Sequence, residues 1–114
     1  MLQGFKTKKG KQYPPRRVIF CDVDETLLIR RRVNRKMAQW LRDRAADGYQ
    51  VNVWSARGEG AAKDAVERAG LVDVVNAALS KPGLVVDDMG WEWIKYTKSI
   101  HPRTVNLSPP DDKE

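Results

Sequence analysis

Short apolar runs alternate with helix-periodic segments along most of this chain, and that alternation leaves few architectures open. Residues 17–21 (RVIFC) form an apolar run suited to a strand buried on both faces. Asn34 stands where a helix cap belongs, ahead of Met37, Trp40, Leu41 and Ala45 at i, i+3, i+4 and i+8, and Gly48 stands where that helix should stop. Residues 49–54 (YQVNVW) read as a second strand. Residues 59–69 read as a second helix, with Ala62, Ala65, Val66 and Ala69 inward and Gly70 as its stop. Residues 72–77 read as a third strand, 84–87 (LVVD) as a fourth and 104–107 as a fifth. A third helix is expected over 90–100, with Trp93, Tyr96, Thr97 and Ile100 on one face. The pattern predicts an α/β fold with a mostly parallel sheet of about five strands and right-handed crossovers.

The length of 114 residues sets one domain as the expectation, with a core over 16–107. Residues 1–15 are polar, basic and end in two prolines, which reads as a flexible arm, and 108–114 (SPPDDKE) as a disordered tail. One cysteine and one histidine leave no intrachain disulfide framework, no Cys-based zinc site and no His-rich metal site. No run of 18 apolar residues is present, and the basic opening residues lack the apolar core of a secretory signal. The expected setting is a reducing cytoplasm. The net charge of +6 is unevenly placed. Residues 1–36 hold 11 Lys/Arg against 3 acids, and the remainder 10 against 12. The whole excess lies in the first third, where it can attract a polyanion or simply face solvent.

In open parallel sheets, ligands bind at the carboxyl ends of the strands. Asp22 and Asp24 follow the first strand and Ser55 the second. Lys81 stands before the fourth, and Asp87 and Asp88 end it. Four carboxylates brought together repel one another unless a cation joins them. With oxygen ligands alone, the cation should be hard, and Mg²⁺ suits carboxylates combined with phosphate and water. Ser55 precedes a helix whose amino end offers N–H groups to an anion, and Lys81 adds a positive point charge. Together these describe a phosphoryl-binding site.

These residues resemble the four motifs of the haloacid dehalogenase (HAD) superfamily. VIFCDVDETLL is similar to its strand followed by DxDxT, and VNVWS to its strand ending in Ser or Thr. Lys81 fits the third motif, and VVDD with Glu92 the fourth. The resemblance runs from Arg17 to about Leu107 and implies a Rossmann-like three-layer sandwich. It implies Asp22 as the nucleophile, forming an aspartyl-phosphate, and Asp24 as general acid and base. Thr26 would orient the loop. Ser55 and the backbone N–H of Ala56 would hold phosphoryl oxygens, and Lys81 would neutralise the transferring group. Asp87 and Asp88 would hold Mg²⁺ with the Asp22 carboxylate and the Asp24 backbone carbonyl. Glu25 replaces a frequent Gly at a position that calls for positive φ. The second acid, Asp24, favours phosphate over carbon–halogen chemistry.

Neither gap between motifs has room for a cap domain, so the resemblance is to a capless member with an open site. Such members act on large substrates or close the site as homo-oligomers. The flap candidate LLIRRRV puts Arg30, Arg31 and Arg32 close to Asp22 in sequence. The expected activity is therefore phosphomonoester hydrolysis on a polyanionic substrate, such as a nucleic-acid terminal phosphate or a nucleotide. The alternative is a non-catalytic HAD-fold module that its basic third tethers to nucleic acid or a protein. Each residue also has an ordinary reading. Asp at a strand end turns the chain, Ser55 caps a helix, and Lys81 is a solvated loop lysine. Cys21 reads as a buried structural thiol, and Trp40, Trp54 and Trp93 as core. Trp91 is a surface residue or a substrate platform, His101 a C-terminal helix cap, and Arg57 a phosphate contact or an exposed side chain.

Overall fold

A computed structural model describes residues 5–6, 12–13 and 16–107. In chain order the strands are β1 (Phe5–Lys6), β2 (Gln12–Tyr13), β3 (Val18–Asp22), β4 (Leu28–Ile29), β5 (Arg32–Val33), β6 (Gln50–Ser55) and β7 (Val75–Ser80). The helices are α1 (Arg35–Ala46), α2 (Glu59–Arg68) and α3 (Pro102–Leu107), with a 3₁₀ turn at Glu92–Tyr96. The chain divides into two compact units. One comprises Arg17–Lys81 with Ile100–Glu114, the other Met1–Arg16 with Pro82–Ser99.

The first unit is a small α/β domain around a three-stranded parallel sheet in the order β3-β6-β7. Cys21, Val51 and Val53 of the sheet pack with Met37, Leu41, Ala62, Ala65 and Val66 of α1 and α2, and with Leu71 and Val105. Both helices start as the sequence predicts. Asn34 Oδ1 accepts from the Met37 N–H at 3.3 Å, and Asn34 Nδ2 donates to the Thr26 carbonyl at 3.0 Å. One side chain thus caps α1 and ties it to the loop after β3. Asn34→Ala is expected to cost about 1–2 kcal/mol, read as a lower midpoint in urea unfolding. Gly70, at φ 69°, ends α2 where a side chain would be strained.

Four expectations about the strands are corrected. β3 is buried on one face rather than both: Cys21 is buried, whereas Val18 and Phe20 are 39% and 47% exposed. The third strand begins at Val75, not Val72, because Val74 and Val75 donate back to the Leu71 carbonyl in a tight turn. Residues 84–87 form no strand, and Leu84 and Val86 are 83% and 93% exposed. Only three residues separate Ser80 from Leu84, whereas a parallel crossover takes a dozen or more. Residues 104–107 belong to the helix α3, whose Val105 enters the core. The parallel sheet among the described residues therefore has three strands.

In the other unit β1 and β2 pair antiparallel, Phe5 with Tyr13 and Lys6 with Gln12. The expected arm otherwise lies outside the described residues, as does the tail 108–114. The helix expected over 90–100 is reduced to the 3₁₀ turn. His101 caps the start of α3 rather than the end of a helix before it: its Nδ1 accepts from the Arg103 N–H at 3.0 Å.

Candidate functional site

The parallel register brings three strand ends level. Asp22 ends β3 opposite Trp54, and Ser55 ends β6 opposite Ser80, the last residue of β7. Lys81 follows at once, its N–H donating to the Ser55 carbonyl at 2.9 Å. The late start of β7 is what places Lys81 here, directly after a third strand.

Asp22 is the centre of the cluster. Lys81 Nζ lies 3.1 Å from its Oδ1, and Thr26 Oγ1 donates to its Oδ2 at 3.3 Å. Both charged side chains keep about a third of their surface in solvent, at 35% and 37%. The chain after Asp22 coils tightly, with the N–H of Leu27 bonded to the Asp22 carbonyl and those of Thr26 and Leu28 to the Val23 carbonyl. Glu25 sits at φ 59°, as the sequence comparison with glycine anticipates. Its carboxylate accepts from the Arg30 N–H at 3.1 Å. Beyond it β4 and β5 form a hairpin with Arg30 and Arg31 at the turn, at φ 50° and 69°. Two-residue hairpin turns of this hand favour Asn and Gly. Holding two arginines there instead costs about 1–2 kcal/mol each. Arg68 of α2 donates to the Arg31 carbonyl and steadies the hairpin.

Ser55 is buried, and its Oγ accepts from the Arg57 N–H at 3.0 Å. It shapes the β6–α2 turn and leaves α2 without a side-chain cap, since Gly58 holds the cap position. Its hydroxyl hydrogen is not used by that bond. Ala56 lies exposed in the same turn.

Arg57 has a definite place. Its Nε and Nη2 grip the two Asp24 oxygens at 2.7 and 2.9 Å. These bonds, and the guanidinium charge beside them, hold the Asp24 carboxyl below the usual carboxylate range. Sequence reasoning named Arg57 without finding this partner, 33 residues away. The available signal was position: both residues stand just past the ends of neighbouring strands.

Cys21 faces the core on the opposite side of β3 from Asp22. Burial, and then the Asp22 carboxylate, push its thiol from an ordinary 9.0 up to about 12. The structural reading holds, with a consequence for stability. The unfolded chain loses this proton first as pH rises, so the folded state is progressively disfavoured from about pH 9 towards 12. At pH 8 the thiol is expected to resist iodoacetamide in the native protein and to react on denaturation.

Asp87 and Asp88 belong to the other unit. Asp87 Oδ1 accepts from the Met89 N–H at 2.8 Å, a local turn. Among the described residues no three His, Cys, Asp or Glu side chains form a group able to hold a metal ion. Within the first unit, Asp22 and Asp24 are both engaged by cationic side chains and do not make a metal site by themselves. The expectation of Mg²⁺ therefore rests on the sequence resemblance. No described helix is long and apolar enough to cross a membrane.

Comparison with protein-family models, with curated proteins and with solved structures gives no match.

Proposed function

We propose that the chain is a phosphomonoester hydrolase of the HAD type, working through an aspartyl-phosphate on Asp22. The proposal takes in a Rossmann-like, capless architecture and Mg²⁺ as cofactor. The observation that supports it best is the Asp22 carboxylate held between Lys81 and Thr26 at the strand ends of one parallel sheet. A carboxylate fixed at one oxygen by an ammonium and at the other by a hydroxyl is oriented for attack.

In the proposed reaction an Asp22 oxygen attacks phosphorus, the bond from phosphorus to the leaving oxygen breaks, and that oxygen takes a proton. Water then attacks the aspartyl-phosphate, frees inorganic phosphate and restores Asp22. Lys81 offsets the charge on the transferring group, and the Ser55 hydroxyl and the Ala56 N–H are the donors for its oxygens. Asp24 is ionised in the Arg57 clasp, which suits the second half-reaction, where a base takes a proton from water. Donating a proton in the first half requires the arginine fork to turn away, and an incoming phosphate is the anion to draw it. The strained Arg30–Arg31 tip supports a polyanionic substrate, a nucleic-acid terminal phosphate or a nucleotide, since it holds two cations in a backbone state that neither residue favours.

One observation favours a second reading, a non-catalytic module that binds nucleic acid or a protein. Lys81 and Arg57 already neutralise Asp22 and Asp24, as in a structural ion-pair cluster. Hydrolysis of 3′- and 5′-phosphorylated oligonucleotides and of a small neutral ester, with and without Mg²⁺ and over a range of salt, separates the two. The proposal expects Mg²⁺-dependent release of phosphate, with the oligonucleotide rate falling steeply as salt rises. Equal background from the wild type and Asp22→Asn overturns the catalytic reading. Oligonucleotide rates that match the small ester and ignore salt overturn the nucleic-acid part.

A further inference from the structure

Side chains alternate across a strand, so Phe20 shares a face of the sheet with Asp22. Trp54, directly opposite Asp22 in the register, points to that same face. The Phe20 and Trp54 rings meet at 4.7 Å between centroids, tilted by 49°. Lys81 Nζ stands 5.8 Å from the centre of the Trp54 ring while it pairs with Asp22 at 3.1 Å. Phe20 is 47% exposed in the middle of a strand. An aromatic pair, Phe20 exposed and Trp54 half-buried, thus adjoins the proposed reaction centre and shares its ammonium.

We infer that the Phe20–Trp54 pair is a stacking platform for the nucleobase of the terminal nucleotide whose phosphate Asp22 attacks. The inference rests on the phosphatase reading and names its substrate class. Two facts favour a nucleobase over other aromatic ligands. Phe20 lies two residues from Asp22, about 7 Å along the strand. A sugar separates the base of a nucleotide from its phosphate and can span that offset, whereas the ring of a phosphotyrosine is bonded directly to the phosphate oxygen and would sit over Asp22. The surrounding charge also fits: Lys81 and Arg57 stand at the phosphate end, and Phe20, Val18 and Leu79 are exposed farther along the face, around the buried Asn52. Stacking on aromatic rings tolerates any base, so the platform recognises a nucleotide without reading sequence.

The test compares a terminally phosphorylated oligonucleotide having an intact end with one whose terminal nucleotide is abasic, so that charge is held constant. The wild type should prefer the intact end by about 5- to 150-fold in kcat/KM, the factor for one base on an aromatic platform. Trp54→Ala should erase most of that preference, Phe20→Leu, at the more exposed ring, should reduce it, and Trp54→Phe should largely keep it. Equal wild-type rates on the two ends overturn the inference while leaving the phosphatase reading intact. So does a preference that survives both Trp54→Ala and Phe20→Leu, or faster hydrolysis of a tyrosine-phosphorylated peptide with the same dependence on Trp54. Should the wild type hydrolyse neither end, the phosphatase reading fails by itself. Fluorescence anisotropy on the same two oligonucleotides then decides the platform: tighter binding of the intact end, lost in Trp54→Ala, supports it, and equal binding overturns it.

Discussion

Asp22→Asn is expected to lower phosphomonoester hydrolysis by on the order of 10³-fold or more, while the folded state persists. The carboxamide keeps the shape of the side chain and an oxygen for the Thr26 hydroxyl, and removes the charge that faces Lys81. It also removes the nucleophile. The ion pair it breaks is about a third exposed on each side, so its loss should change stability by no more than about 1 kcal/mol. Steady-state kinetics with a thermal melt on the same preparation checks both halves. Activity lost with the melting temperature nearly unchanged is the expected pair of results.

The second large effect is on the core. Leu41 is fully buried where α1 meets the sheet, and Leu41→Ala should cost about 3 kcal/mol through lost transfer energy and the cavity left behind. For a domain this small that is a large share of total stability, and it corresponds to a fall in melting temperature on the order of 15 °C. Leu84→Ala supplies the contrast. At 83% exposure its side chain has little to lose, and the change should stay within about 0.5 kcal/mol. A residue of a buried fourth strand would instead behave like Leu41. The pair of melts therefore also tests the correction made to residues 84–87.

What the sequence made legible follows from how local each signal is. α1 and α2 were readable because cap, period and stop agree: Asn34 through Gly48 for one, the alanine stripe and Gly70 for the other. Contacts that follow from strand ends were readable: Lys81 and Thr26 meet Asp22, and Ser55 ends the strand between β3 and β7. The third strand slipped because residues 72–79 are apolar almost throughout, and only the backbone turn onto Leu71 marks where extension begins. Residues 84–87 look like a strand because a short apolar run carries no period to contradict it. The three-residue link from β7 was the evidence against it. The Arg57–Asp24 clasp and the Phe20–Trp54 pair join residues more than 30 apart, and only register and crossover fix such neighbours. Alternation from Asp22 nonetheless pointed Phe20 to the site face, and that signal lay in the sequence.

The central claim is that Asp22 carries the phosphoryl group. Substrate labelled with radioactive phosphate, mixed with enzyme and quenched in acid within the first turnover, tests it most directly. The account predicts label bound to the protein, released by mild base as an acyl-phosphate is, confined to the peptide containing Asp22 and absent from Asp22→Asn. Active wild-type enzyme that holds no label, or holds it on another peptide, would contradict it.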